Sequence, residues 1–468
     1  MDSGDRVAIL ALNSDRYSEF LLAVPWADAV FVPVNTRWAA AEISYSLAEC
    51  GTRVLLVDDT FAPAVPALRE ACPGLGTVIY CGEGPPPAGM AGYEDLLAQA
   101  SPVPDARRGG DALAGIYYTG GTTGSPKGVM LSHANLLTSA LGAAATGHFC
   151  EAGGRMLHAA PMFHLADGAA WAGQTLVGGT HVIVRAFEPG AVLGAFSEHQ
   201  VTSVLLVPTM IGMLVNHPDA GGYDLSSVRH IIYGASPISE PVLEAAMKLF
   251  RNAGFTQAYG MTELSPVATL LTPGDHADPV RRRSAGRAAP HAEVRVVDEA
   301  GNEVPRGTVG EIVCRGAHVM LGYWNQPGAT AQAVRNGWMH TGDGGYMDED
   351  GYVYIVDRIK DMIVTGGENV YSVEVEKTLA QHPAVEACAV IGVPDESLGE
   401  RVHAVVVLRP GESATAGDLR DFCKRHIAGY KAPRSAEFTD ALPLSGAGKV
   451  LKRELRKPYW AGRDRAVQ

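Results

Sequence analysis

Tyr117-Tyr118-Thr119-Gly120-Gly121-Thr122-Thr123-Gly124-Ser125-Pro126-Lys127-Gly128 takes over from a strand pattern at Ile116 to Thr119 and gathers glycines, hydroxyls and one lysine. Such a loop can wrap a phosphate. Glycines let backbone N–H groups turn toward the oxygens, threonine hydroxyls donate further bonds or reach a metal, and Lys127 supplies charge. The pattern is not G-x-x-x-x-G-K-[ST], because Pro126 separates the glycine from the lysine and Gly128 stands where a hydroxyl is needed. Alone, the loop implies nucleotide or phosphate binding, and a structural turn needs the same glycines.

Outward from this loop the chain alternates strand and helix patterns. Arg6 to Leu12 reads as a buried strand, Ala39 to Cys50 as an amphipathic helix, and Val54 to Val57 as another apolar strand. The rhythm continues through His181 to Val184, Ser203 to Val207 and Arg229 to Tyr233, with a helix at Glu240 to Phe250, and favours parallel sheets covered by helices. From Ala292 it changes to short strands and turns (Glu293 to Val297, Asp298 to Gly301, Gly310 to Arg315), which suggests a small β subdomain. After Arg358 come a helix at Ser372 to Gln381, strands at Ala387 to Ile391 and His403 to Leu408, and a helix at Ala416 to His426, enough for a small α+β domain. The expected fold class is α/β: a large N-terminal domain of helix-covered parallel sheets with a small β subdomain, then a small mobile α+β C-terminal domain. The expected boundary puts residues 1–358 in the first domain and 359–468 in the second.

The chain has 468 residues, more than one hydrophobic core usually supports, with 47% hydrophobic and 19% charged residues. A net charge of −13 disfavours nucleic acid and anionic membrane surfaces as partners. The dense basic run Arg281, Arg282 and Arg283 reads as a solvated loop beside Pro279 and Gly286. Seven dispersed cysteines with no C-x-x-C pair argue for a reducing compartment and against zinc. The longest apolar stretch, Ser203 to Val215, is broken by Pro208 and falls short of a transmembrane segment, so a cytoplasmic protein is expected. A homodimer is compatible with this profile.

The loop resembles the signature of the adenylate-forming superfamily, which includes acyl- and aryl-CoA ligases, luciferases and peptide-synthetase adenylation domains. Further segments match in the same order over essentially the whole chain. The resemblance implies that Thr119, Gly121, Thr122, Thr123, Gly124 and Lys127 grip the phosphates of ATP. Tyr259-Gly260-Met261-Thr262-Glu263 is similar to a second motif, in which Tyr259 and Gly260 meet adenine, Thr262 meets the α-phosphate and Glu263, with Thr122, holds Mg2+. Gly234-Ala235-Ser236-Pro237 is similar to the adenine-pocket segment. Trp338-Met339-His340-Thr341-Gly342-Asp343 resembles the motif whose aspartate accepts both ribose hydroxyls. In Asp357-Arg358-Ile359-Lys360-Asp361 the resemblance puts Arg358 near ribose and phosphate and Lys360 at a pivot.

Pro161-Met162-Phe163-His164 is similar to the segment beside the substrate carboxylate, so His164 takes a gating or positioning role rather than proton transfer. Pro443-Leu444-Ser445-Gly446-Ala447-Gly448-Lys449 resembles the catalytic-lysine loop, and Lys449 would oppose charge that develops on the α-phosphate. Gly366-Gly367-Glu368-Asn369 resembles the loop that CoA ligases use for thioester formation, with glycines leaving room for a pantetheine arm. Acyl- and aryl-CoA ligases are therefore the nearest members, with ATP, Mg2+ and coenzyme A as the implied ligands and a fatty or aromatic acid as substrate. The alternatives are an enzyme that passes acyl-AMP to a carrier protein and a non-catalytic adenylate- or acyl-binding relative. The start at Asp2 to Val7 is expected to lack the leading helix and strands of such proteins. Gly120 stands where many members carry a hydroxyl. Ala166, Gly168, Ala169, Ala170 and Gly173 after His164 suggest a roomy acyl cavity or close helix packing, and Ala166 offers no hydroxyl to a phenol.

Overall fold

A computed structural model describes residues 2–119, 126–236, 238–358, 361–366, 368–444 and 449–461, with Arg358 and Asn369 described by backbone alone. Arg6–Leu10 is a short apolar strand that pairs in parallel with Val30–Pro33 on one side and Val54–Val57 on the other. Strands buried on both faces need no alternation, which is why they read as continuous Val, Leu and Ile runs. Helix Asp15–Trp26, capped by Ser14 accepting from the Tyr17 amide, connects the first strand to the second, and Ala40–Glu49 returns to the third. The eight-stranded sheet runs Gly322–Tyr323, Lys127–Ser132, Leu113–Thr119, Val30–Pro33, Arg6–Leu10, Val54–Val57, Thr77–Tyr80, Ala91–Gly92.

A seven-stranded sheet follows in the order Arg287–Ala288, Thr269–Leu271, Gly254–Tyr259, His230–Gly234, Ser203–Leu206, Arg155–His158, Thr180–Ile183. Its last five strands are mutually parallel, and helices Leu165–Leu176, Pro189–His199, Pro208–Val215 and Glu240–Leu249 bury apolar faces against them around Phe196, Phe250, Phe255 and Ile232. The expected parallel character holds in both sheet centres. Antiparallel hairpins close the edges instead, Leu113–Thr119 with Lys127–Ser132 and Gly254–Tyr259 with Thr269–Leu271, because short loops cannot make a parallel crossover.

Two five-stranded sheets complete the fold: one of Glu293–Val297, Gly310–Arg315, Val334–Arg335, Trp338–Met347 and Val353–Arg358, the other of Ile363–Thr365, Glu368–Val370, Val385–Asp395, Gly399–Leu408 and Ser435–Phe438. Helices Ser372–Leu379 and Ala416–His426 share a core with the last sheet through Val375, Leu379, Leu419 and Cys423. The chain divides into two compact units, residues 1–294 with 313–340, and residues 295–312 with 341–468. Among the described residues no helix is long and apolar enough to cross a membrane. The arginine run is solvent-facing and forms a short 3-10 turn, in which Arg282 pairs with Glu240 and Glu244, and Arg283 with Glu240, of helix Glu240–Leu249.

Candidate active site

Parallel strands deliver their carboxyl ends to one edge, and three of the motifs lie on the same edge of the seven-stranded sheet. Arg155–His158 has Thr180–Ile183 on one side and Ser203–Leu206 on the other, so the connections diverge there and the segment leading to His164 leaves at a topological switch point. Gly234 ends the strand two places along, directly opposite Ala258, and Tyr259 ends the next. A Cβ on Gly234 would stand 2.2 Å from the Ala258 carbonyl, and one on Gly260 would stand 1.9 Å from that of Pro266, so both positions exclude a side chain. Ala235 follows in the left-handed region at φ +66°, a conformation that costs a non-glycine residue energy and turns the chain sharply before Ser236.

Thr119 and Lys127 are direct backbone partners at the connected end of their hairpin, so the two residues that flank the signature segment stand on adjacent strands. Gly121, Thr122, Thr123 and Gly124 lie outside the described residues. Lys127 places its ammonium 4.9 Å from the ring centroid of Tyr323, whose strand pairs with Lys127–Ser132. The Tyr323 phenol donates to Glu263 Oε1 at 2.8 Å, and the Met320 amide donates to the Glu263 carbonyl at 2.9 Å. Glu263, on the 3-10 turn Thr262–Leu264, is buried. Burial and then the Glu263 charge push the Tyr323 phenol well above its ordinary pKa, so it stays a donor. Lysine, phenol and carboxylate thus meet where the hairpin and the 3-10 turn converge. The chemistry of this set suits Mg2+, which prefers oxygen ligands.

His164 caps helix Leu165–Leu176, with its ring 4.2 Å from that of Phe163. Asn13 staples the segment before it, donating to the carbonyls of His158 at 3.4 Å and Ala160 at 2.9 Å while accepting from the Met162 amide at 2.8 Å. Below it, the buried Asp167 carboxylate accepts from His158 Nδ1 at 2.8 Å. His158 Nε2 lies within hydrogen-bond distance of His181 Nδ1, at 2.9 Å. Burial, with His158 adding, draws the His181 pKa down to about 4, consistent with a neutral ring. Of the small residues after His164, Ala170 lies in the core and Gly173 faces Phe149 and Cys150, so close packing accounts for those two.

In the second unit Asp343 is buried, and its amide donates to the Thr341 hydroxyl oxygen at 3.1 Å. Asp343 is the direct backbone partner of Arg358, so the two motifs sit on neighbouring antiparallel strands of one hairpin. Gly366, at φ +60°, directly follows strand Ile363–Thr365, whose Thr365 is the backbone partner of Glu368. Lys449 is exposed beside Val450, which bridges to Leu444. Pro237, Lys360, Gly367 and the segment 445–448 lie outside the described residues.

A cleft of about 440 Å³ between the carboxyl ends of the two sheets holds none of the motif residues. Its charged walls are already paired, Arg16 with Glu83 and Glu94, and Arg185 with Asp58 and Asp59. Sequence reasoning missed Tyr323, Asn13, His158 and Asp167. The one available signal for Asn13 was a polar residue just past a buried strand end.

Residues 1–324 match the family described as AMP-binding enzyme, and residues 374–449 match the AMP-binding enzyme C-terminal domain. A feruloyl-CoA synthase of an Amycolatopsis species is 42% identical over 457 residues, covering 97% of this chain and 89% of the relative. The fatty acid–[acyl-carrier-protein] ligase ScoC of Streptomyces coeruleorubidus is 38% identical over 99% of this chain and 88% of its own. The crystal structure of ATP-bound MatB from Rhodopseudomonas palustris superposes with a TM-score of 0.89 at 32% identity, covering 98% of this chain and 89% of that one. With both of its domains matched in order and relatives aligned nearly end to end, the chain belongs to the AMP-binding enzyme family.

Proposed function

We propose that the chain is an ATP-dependent ligase that joins a fatty or aromatic carboxylic acid to coenzyme A through an acyl-adenylate. The observation that carries this reading is the convergence of Lys127, Tyr323 and Glu263 beside the signature loop, a cationic and carboxylate set fitted to a metal-bound triphosphate. In the first half-reaction a carboxylate oxygen attacks the α-phosphorus and pyrophosphate leaves. In the second, the CoA thiolate attacks the acyl carbon and AMP leaves. Bound Mg2+ supplies phosphate charge neutralisation, with Glu263 and Thr122 as its oxygen donors.

Tyr259 and Gly260, with Gly234, Ala235 and Ser236, form the adenine pocket, and Thr262 contacts the α-phosphate. Thr119, Gly121, Thr123, Gly124 and Lys127 hold the pyrophosphate side. Asp343 accepts the ribose hydroxyls, with Arg358 on the neighbouring strand. His164 positions the substrate carboxylate. Lys449 serves adenylation, the loop of Gly366 and Gly367 serves thioester formation, and a domain boundary at 358/359 with a pivot at Lys360 lets the two alternate.

The feruloyl-CoA synthase relative supports an aromatic acid and CoA, whereas ScoC favours a second reading, transfer of a fatty acyl group to a carrier protein. AMP release measured over fatty, benzoic and cinnamic acids, with CoA and with a phosphopantetheinylated carrier protein as acceptors, separates them. Turnover with CoA supports the first reading, and turnover with carrier protein alone replaces it with the second.

A further inference from the structure

Residues 450–461, which follow Lys449, pack within the second unit. Leu444 bridges to Val450, and the Leu451 amide donates to the Pro443 carbonyl at 2.8 Å. The next residue, Lys452, opens helix Lys452–Trp460 and sends its ammonium inward, its side chain only 11% exposed. It pairs with Glu376 Oε1 at 2.8 Å and donates to Ser372 Oγ at 2.5 Å. Glu376 Oε1 also accepts the Val390 amide at 2.7 Å, which ties helix Ser372–Leu379 to the sheet.

The direction of these bonds is determined. An ammonium only donates, so the Ser372 hydroxyl accepts from Lys452 and gives its own proton to Asp357 Oδ2 at 2.6 Å, where the Ser372 amide also donates at 2.5 Å. Burial works against the Lys452 charge, and the carboxylates of Glu376 and Asp357 outweigh it, holding the amine above its ordinary pKa. One helical turn on, Arg456 pairs with Asp361, both side chains largely buried. A single helix face thus reaches Asp357 through Ser372 and reaches Asp361 directly, the residues on either side of Arg358 to Lys360.

We propose that Lys452 and Arg456 are positioning residues for Lys449: they fasten the helix behind the lysine loop to Asp357 and Asp361, and so set where Lys449 is delivered. This rests on the reading of Lys449 as the adenylation lysine. A salt bridge on a protein surface would not do this, since exposed pairs hold little geometry. Here the pair is buried and hydrogen-bonded through to a second carboxylate, so displacing Lys452 moves the anchor three residues from Lys449.

The test compares the two half-reactions in the full chain: acid-dependent pyrophosphate exchange, and thioester formation from pre-made acyl-AMP. Because removing Lys452 alone strands a buried Glu376, the main variant is the double Lys452→Met with Glu376→Gln, which keeps an acceptor for Val390. Exchange is expected to fall by about 10- to 100-fold through kcat, with the KM for ATP within about threefold and thioester formation within about threefold. Lys452→Arg is expected to recover most of the loss, and Arg456→Met to reproduce the pattern more weakly. Equal losses in both half-reactions that track the fall in Tm would assign the cluster a structural role alone and overturn the proposal, as would unchanged exchange. Lys449→Ala run alongside separates the levels. If it spares exchange, the reading of Lys449 fails; if it abolishes exchange while the double variant does not, only the positioning claim fails.

Discussion

The Tyr323 phenol and the Glu263 carboxylate are joined by a 2.8 Å hydrogen bond, although 60 residues separate them in sequence. The bond fixes the carboxylate proposed to hold Mg2+, and the Lys127 ammonium lies over the same ring. Tyr323→Phe keeps the ring and removes the donor. It should raise the half-saturating Mg2+ concentration for pyrophosphate exchange by about three- to tenfold, and lower stability by about 1–3 kcal/mol because a buried carboxylate loses a partner. Mg2+ titration of nucleotide binding by calorimetry provides a readout independent of turnover; an unchanged Mg2+ dependence would exclude this role.

Asn13 makes three bonds to the segment that leads to His164, two as donor and one as acceptor. Asn13→Asp cannot make the two donations and turns a carboxylate toward two carbonyls. We expect a loss of about 2–3 kcal/mol in stability and a raised KM for the acid with the KM for ATP little changed. A denaturant titration and paired KM measurements check both.

Neither ring nitrogen of the buried His318 has a hydrogen-bond partner among the described residues, and the His291 ring stands 4.7 Å away. Burial, with His291 adding, lowers the His318 pKa to about 3 from 6.5. The sign follows from linkage: below pH 6.5 the unfolded chain takes up a proton that the folded chain refuses until about pH 3, so this residue removes stability as pH falls through that window. His318→Leu should therefore flatten the dependence of Tm on pH below 6.5 and add on the order of 1 kcal/mol at neutral pH. A steeper dependence in the variant would contradict this.

What was legible in the sequence follows a physical division. Val54–Val57 was readable to the residue as a continuous apolar run, and Glu293–Val297 as an alternation in which Glu293 and Arg295 are separated by buried valines. Helix Ala416–His426 was equally plain, an amphipathic stretch introduced by Thr415, which accepts from the Asp418 amide. The motif glycines were readable because Gly234 and Gly260 stand where backbone leaves no room for a Cβ. Tyr323, Asn13 and Lys452 were not. Each acts through a partner distant in sequence, Asn13 with Met162 across 149 residues and Lys452 with Ser372 across 80, and no local pattern encodes such a contact. Lys452 in particular reads as one more solvated cation in a basic C-terminal run.

The most direct test of the account is acid-dependent exchange of labelled pyrophosphate into ATP without CoA, followed by addition of CoA to the same mixture. The account predicts exchange with at least one fatty or aromatic acid, then one acyl-CoA formed for each AMP released. No exchange with any acid in a broad panel, despite measurable ATP binding, would contradict it and identify the chain as a non-catalytic binder.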